Sequence, residues 1–184
     1  MRAACCSQLF KSSDTAKFAE KPSSIFDSTC DGKDLGTTPM MSPLAAPVPR
    51  VVLDTNVVLD WLVFRNPAVL PLVSAIEQRH VEWIACASMR TELARTLGYD
   101  NLARWAPDRE QALAVFDTHT QLLPAPATLP ALRCSDGDDQ VFLDLAVAAG
   151  ARWLLSHDRA LLRLARRARG LGVTVIQPRL WTGA

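Results

Sequence analysis

From Arg50 onward, short apolar runs alternate with helical patterns, and this alternation constrains the fold more than any other feature of the chain. Arg50-Val51-Val52-Leu53-Asp54 is a β-branched apolar run ending in an acid, the pattern of a strand buried on both faces of a parallel sheet. Asn56 to Val63 and Ala68 to Arg79 then read as helices, and Val81 to Cys86 as a second strand. Ser88 can cap a helix from Met89 to Leu97 that Gly98 closes. Asp108 to Leu122 is a further helical pattern. Pro124 to Pro130 reads as loop or sheet edge, because its three prolines cannot donate to a central ladder. Asp138 or Asp139 opens a helix to Ala149 that Gly150 ends, and Arg152 to Ser156 is a third strand. Asp158 caps a helix from Arg159 to Arg169, and Val173 to Ile176 is a fourth strand. Strands separated by helices imply βαβ units, a mostly parallel central sheet and a three-layer α/β/α sandwich. Any site should then lie beyond the carboxyl ends of the strands.

The first part of the chain has a different composition. All four lysines (Lys11, Lys17, Lys21, Lys33) precede residue 34, whereas fifteen of the sixteen arginines lie from Arg50 on. Residues 1–48 are polar, lack apolar periodicity and end in a proline-bearing run, so they are expected to form a disordered arm. A single α/β domain is expected over residues 50–178, followed by a C-terminal tail at 179–184. Met40 and Met41 stand just before the domain and offer a second start for translation. The five cysteines form no Cys-x-x-Cys pair, which fits reduced thiols without a metal role. No apolar run approaches the roughly 18 residues of a membrane span, so a cytoplasmic protein without a membrane partner is expected. A net charge of +1 neither demands nor forbids a polyanionic partner.

Four acids fall where a site should be. Asp54 ends the first strand, Asp158 lies two residues beyond the third, and Asp139 opens the helix before it. Glu92 lies in the early turns of the helix after the second strand, facing the same edge. One carboxylate at a helix start is an ordinary cap, but several together raise one another's pKa unless a cation neutralises them. A hard divalent cation, Mg2+ or Mn2+, is the cofactor this cluster implies.

In order and spacing, these segments resemble the PIN domain, the ribonuclease fold of VapC-type toxins, over roughly residues 50–178. Val51-Val52-Leu53-Asp54-Thr55-Asn56 is similar to the family's opening strand and Thr91-Glu92-Leu93 to its helix-borne Glu. Asp139 to Ala146 is similar to its third-acid helix, and Leu154-Leu155-Ser156-His157-Asp158 to its closing strand and acid. The Cys134-Ser135-Asp136-Gly137-Asp138-Asp139 lead-in looks like a subgroup of toxin components; Asp136 and Asp138 stay open as alternatives to Asp139, which the spacing to Ala146 favours. The resemblance implies metal-dependent hydrolysis of RNA phosphodiester bonds, leaving 5′-phosphate and 3′-hydroxyl ends. Asp54 and Asp139 would be principal ligands, Asp158 a direct or water-mediated one, and Glu92 a ligand or water-orienting base. Thr55, Asn56 and Ser156 would hold the carboxylates by hydrogen bonds. A single-stranded or structured RNA substrate, a small antitoxin and a homodimer are the partners it implies.

Arg159, Arg163, Arg166 and Arg167 recur at offsets of four, seven and eight, one face of a helix that starts beside Asp158. They are candidate RNA phosphate contacts, or simply the solvated side of an amphipathic helix. Arg90 and Arg95 flank Glu92 with the same two roles open. His157, alone at a strand end, reads as structural. Receiver domains and haloacid-dehalogenase-like phosphatases also set acids at strand ends but use a lysine, and residues 34–184 have none. Neither phosphate-cradling glycine motif occurs. The alternative from another class is a catalytically silent PIN-like module that binds RNA or protein.

Overall fold

A computed structural model describes residues 47–129 and 132–183. Most of the expected N-terminal arm, with Met40, Met41 and every lysine, lies outside the described residues. Five strands make the sheet: β1 (Arg50–Leu53), β2 (Glu82–Ala85), β3 (Thr120–Leu122), β4 (Trp153–Leu155) and β5 (Thr174–Ile176). Their order is β3-β2-β1-β4-β5, and every neighbouring pair is parallel. In register, Val51 pairs with both Trp83 and Trp153. Val51 and Val52 point to opposite faces and both are wholly buried, so helices cover both sides of the central strand.

The helices are α1 (Thr55–Leu62), α2 (Leu70–Glu77), α3 (Ala87–Thr96), α4 (Arg109–His119), α5 (Gln140–Ala148), α6 (Arg159–Arg163) and α7 (Ala165–Arg169). Each of α1, α3 and α6 follows a strand almost at once, which sets its first turn at the carboxyl edge of the sheet. The core runs from Val57, Leu72 and Ile76 through Ile84 and Leu93 to Phe142, Leu143 and Leu161. No single helix among the described residues is long and apolar enough to cross a membrane.

The structure corrects several expectations. The helix expected over Asp108 to Leu122 stops at His119, and Thr120–Leu122 is the fifth strand. Thr120 sits at the helix C-cap in extended backbone, its hydroxyl donating to Phe116 O at 2.7 Å. The open edge of β2 takes the next residues, Leu123 N donating to Ala85 O, so ladder pairing outweighs local helical preference. Ser88 is not the cap of α3: Cys86 holds that position, and the Ser88 hydroxyl lies 3.2 Å from its Sγ. That helix ends at Thr96 with Leu97 as its cap, before Gly98. Pro67–Val69 is a 3₁₀ turn, capped by the Asn66 side chain, that precedes α2. The single helix expected from Arg159 to Arg169 is interrupted at Leu164, which closes α6 and opens α7. At the chain end, Trp181, placed by sequence in the tail, is 6% exposed and packs on Trp153 with ring centroids 5.8 Å apart.

Candidate active site

Asp54 follows β1 directly and is 2% exposed. Burial pushes its carboxyl pKa up, and the nearby Asp158 adds to this; the Ser156 hydroxyl, the Asn56 backbone N–H and the electrostatic effect of His157 oppose it. The Ser156 hydroxyl donates to Asp54 Oδ2 at 2.7 Å and accepts the Asp158 N–H at 2.8 Å. One fully buried serine thus joins the ends of β1 and β4. An apolar side chain there would leave a buried carboxylate without its donor.

Asp158 caps α6, its Oδ1 accepting the Ala160 N–H. Glu92 projects from α3. Burial raises its pKa and Asp54 and Asp138 raise it further, whereas the Thr55 hydroxyl and Arg95 lower it. Asp139, half-buried at the N-cap of α5, makes no side-chain cap hydrogen bond. Its pKa is pushed up to about 7, by burial first and then by Asp54, Asp158, Asp136 and Glu92. Six carboxylates from four chain segments therefore act on one another at the carboxyl edge of the sheet. Asp136 and Asp138 belong to the same neighbourhood, but both are exposed, and Asp136 Oδ1 accepts the Asp138 N–H at 3.0 Å. Among the described residues no three His, Cys, Asp or Glu side chains are drawn into a closed metal cage. The acids share one field without a preformed ligand shell. A cavity of about 490 Å³ lined by Ile76, Trp83, His119 and Gln121 holds none of them.

Thr55 and Asn56 divide their roles. The buried Thr55 hydroxyl reaches Glu92, while the Asn56 side chain is exposed and its backbone N–H serves Asp54. Arg159, Arg163, Arg166 and Arg167 are all exposed, with Leu161, Leu164 and Ala168 buried beneath them. Because of the break at Leu164, they stand on two short helices instead of one face of a single helix. Arg90 forms a two-pronged ion pair with Asp117 of α4, both contacts 2.6 Å.

Two groupings escaped the sequence. Gln140 accepts the Cys134 N–H at 2.7 Å and donates to Leu132 O at 2.9 Å and to Asp144 Oδ1 at 2.7 Å. The buried Asp144 also accepts the Leu129 N–H at 3.1 Å. This clasp holds the segment that leads into Asp136 and Asp139. Its signal was a polar pair four residues apart within an apolar helix. The second grouping joins His157 Nε2 to Asp60 Oδ2 at 2.7 Å, with Asn66 Nδ2 donating to the same oxygen at 3.0 Å. Nothing local marked it, since 97 residues separate His157 from Asp60.

A family model described as PIN domain matches residues 50–160 of the chain. Among solved structures, VapBC2 from Rickettsia felis bound to a DNA fragment from their promoter is similar at 12% identity, with 68% of this chain and 98% of that chain covered and a TM-score of 0.47. No curated protein matches the chain.

Proposed function

The chain belongs to the PIN domain family, and on that premise we propose that it is a metal-dependent endoribonuclease that hydrolyses RNA phosphodiester bonds. The observation that carries this is Asp139, a carboxyl held at about 7 by burial and by four other acids. A cluster maintained at such electrostatic cost is accounted for by a cation that binds between its members. The donors are all carboxylate oxygens, the set that magnesium and manganese prefer. Asp54 and Asp139 would hold the ion with Asp158 and Glu92 completing the set; it would supply Lewis acidity toward the phosphoryl group and toward a water nucleophile.

The chain's own residues do the positioning. Ser156 fixes the Asp54 rotamer and ties it to the Asp158 backbone; Thr55 steadies Glu92. The Gln140–Asp144 clasp sets the approach of the chain to Asp139. The exposed Arg159, Arg163, Arg166 and Arg167, on the two short helices after Asp158, would meet the phosphates of a single-stranded or structured RNA. The toxin role in a toxin–antitoxin pair, a small antitoxin partner, a homodimer and a cytoplasmic setting belong to this proposal through family resemblance. Incubation of single-stranded RNA with the full chain and magnesium tests it. Cleavage to 5′-phosphate ends that is lost in Asp54→Asn and Asp139→Asn is expected; cleavage that survives both substitutions refutes the site.

A further inference from the structure

Phe64 and Trp105 form an exposed aromatic pair. Their ring centroids are 4.8 Å apart in an edge-to-face arrangement, and the Arg104 guanidinium carbon lies 3.6 Å from the Trp105 ring centroid. Of the five tryptophans Trp105 is the exposed one, at 39%. Arg65 and Ala106, which directly follow Phe64 and Trp105, have φ of 51° and 43°, in the left-handed region that strains any residue with a side chain. Left-handed turns of this kind gather at binding surfaces. Here two of them flank one aromatic platform that faces solvent.

The platform is tied to the acids through α1. That helix starts next to Asp54, and its eight residues rise about 12 Å toward Phe64. Just beyond, Asn66 Nδ2 donates to Asp60 Oδ2 at 3.0 Å, and the same oxygen lies 2.7 Å from Nε2 of His157, the neighbour of Asp158. A groove of about 330 Å³ lined by Trp61, Arg65, Trp105 and Gln111 is walled here by α1 and α4. An occupant that complements this surface has a flat π face for the ring and guanidinium, and negative charge for the exposed Arg65 and Arg104. Asp108, the acid of the groove, is already engaged, its Oδ1 accepting the Gln111 N–H at 2.9 Å. A nucleotide offers both a base and a phosphate, whereas an apolar protein segment brings no charge to the arginines. We propose that the Trp105–Arg104 stack, braced by Phe64, is a base-stacking subsite for a single-stranded RNA that runs on to the acids. Every base has a π face, so the subsite holds the strand without reading its sequence. This deepens the ribonuclease assignment above and rests on it.

The test reads binding separately from cleavage. At about 3.4 Å per stacked nucleotide, about 12 Å is roughly four nucleotides, so a strand of about ten reaches both the acids and the platform. The full chain, with calcium in place of magnesium, is titrated into a fluorescently labelled single-stranded RNA of that length and into an abasic ribose-phosphate strand of equal length. The abasic strand keeps every phosphate and loses every π face. In the wild type it is expected to bind at least about tenfold more weakly. Trp105→Ala should lose about tenfold on the RNA and little on the abasic strand, so that its preference for bases shrinks by that factor. Trp105→Phe, which keeps a ring, should retain most of the preference. Equal binding of the two strands by the wild type overturns the inference, as does a preference undiminished in Trp105→Ala. Unchanged RNA binding in that variant together with lost self-association overturns it too, and assigns the platform to a protein contact. If the preference depends on Trp105 but RNA is never cut in magnesium, the nuclease assignment fails and the subsite stands. If RNA is cut and the preference is absent, the subsite fails and the nuclease assignment stands.

Discussion

Asp139→Asn should make the ion-free protein more stable while removing its metal response. The carboxyl sits at about 7, against 3.8 for an unperturbed Asp. Because the folded-state value is raised, its stabilising contribution is complete below 3.8 and is lost as the pH rises through about 7. Each pH unit in that interval removes about 1.4 kcal/mol, an upper bound of about 4 kcal/mol. Solvent reaches this half-buried group, so screening brings the expected loss down to about 1–2 kcal/mol. The amide of Asn keeps the shape and carries no charge. In a chelator at about pH 8, Asp139→Asn should therefore melt roughly 3–6 °C above the wild type. At about pH 5 only about a third of the interval between 3.8 and about 7 has been crossed, so the difference should shrink to about a third, and it should close below 3.8. Added magnesium should raise the wild-type melting temperature at about pH 8 and leave the variant unmoved. A variant no more stable than wild type in chelator, or equally stabilised at both pH values, would refute the claim that the other acids load Asp139.

Ser156→Ala removes the donor to buried Asp54 and should cost about 1–3 kcal/mol, read as a melting temperature lower by roughly 3–8 °C, with the Asp54 pKa rising further. Gln140→Ala opens the clasp on Leu132 and Cys134, and should expose the chain around Pro124 to Cys134 to limited proteolysis while lowering stability by about 1–3 kcal/mol; an unchanged cleavage pattern would count against the clasp. Arg159→Ala with Arg163→Ala should weaken RNA binding and flatten its dependence on salt, by about 0.7 in logarithmic slope for each phosphate no longer neutralised. An unchanged slope would assign these arginines to the solvated surface.

Much of the fold was legible because its strands are short apolar runs and its helices begin at recognisable residues. Arg50 to Leu53 needed no context, since a β-branched run buried on both faces fits only a central strand. Thr120–Leu122 was not legible: its residues continue a helical pattern, and only the free edge of β2 makes them a strand. The break at Leu164 is likewise a packing outcome, as Leu161 and Ala168 both bury themselves against the body on either side of it. Among the candidate site residues, Asp54, Asp139 and Asp158 could be named from their places at strand and helix ends, and Glu92 from its helix after the second strand. What joins them could not. That Ser156 bonds one acid's side chain and the next acid's backbone, and that Thr55 serves Glu92 and not Asp54, depends on side-chain directions across neighbouring strands and helices. The contact between His157 and Asp60 could not be read either, because 97 residues separate them.

Manganese binding tests the central claim most directly. With the full chain near neutral pH, the electron paramagnetic resonance signal of free manganese should fall on titration with wild-type protein. Asp54→Asn and Asp139→Asn should each weaken that binding by at least about tenfold. Manganese affinity unchanged by either substitution, or no binding by the wild type, would contradict the assignment of these carboxylates to a metal site.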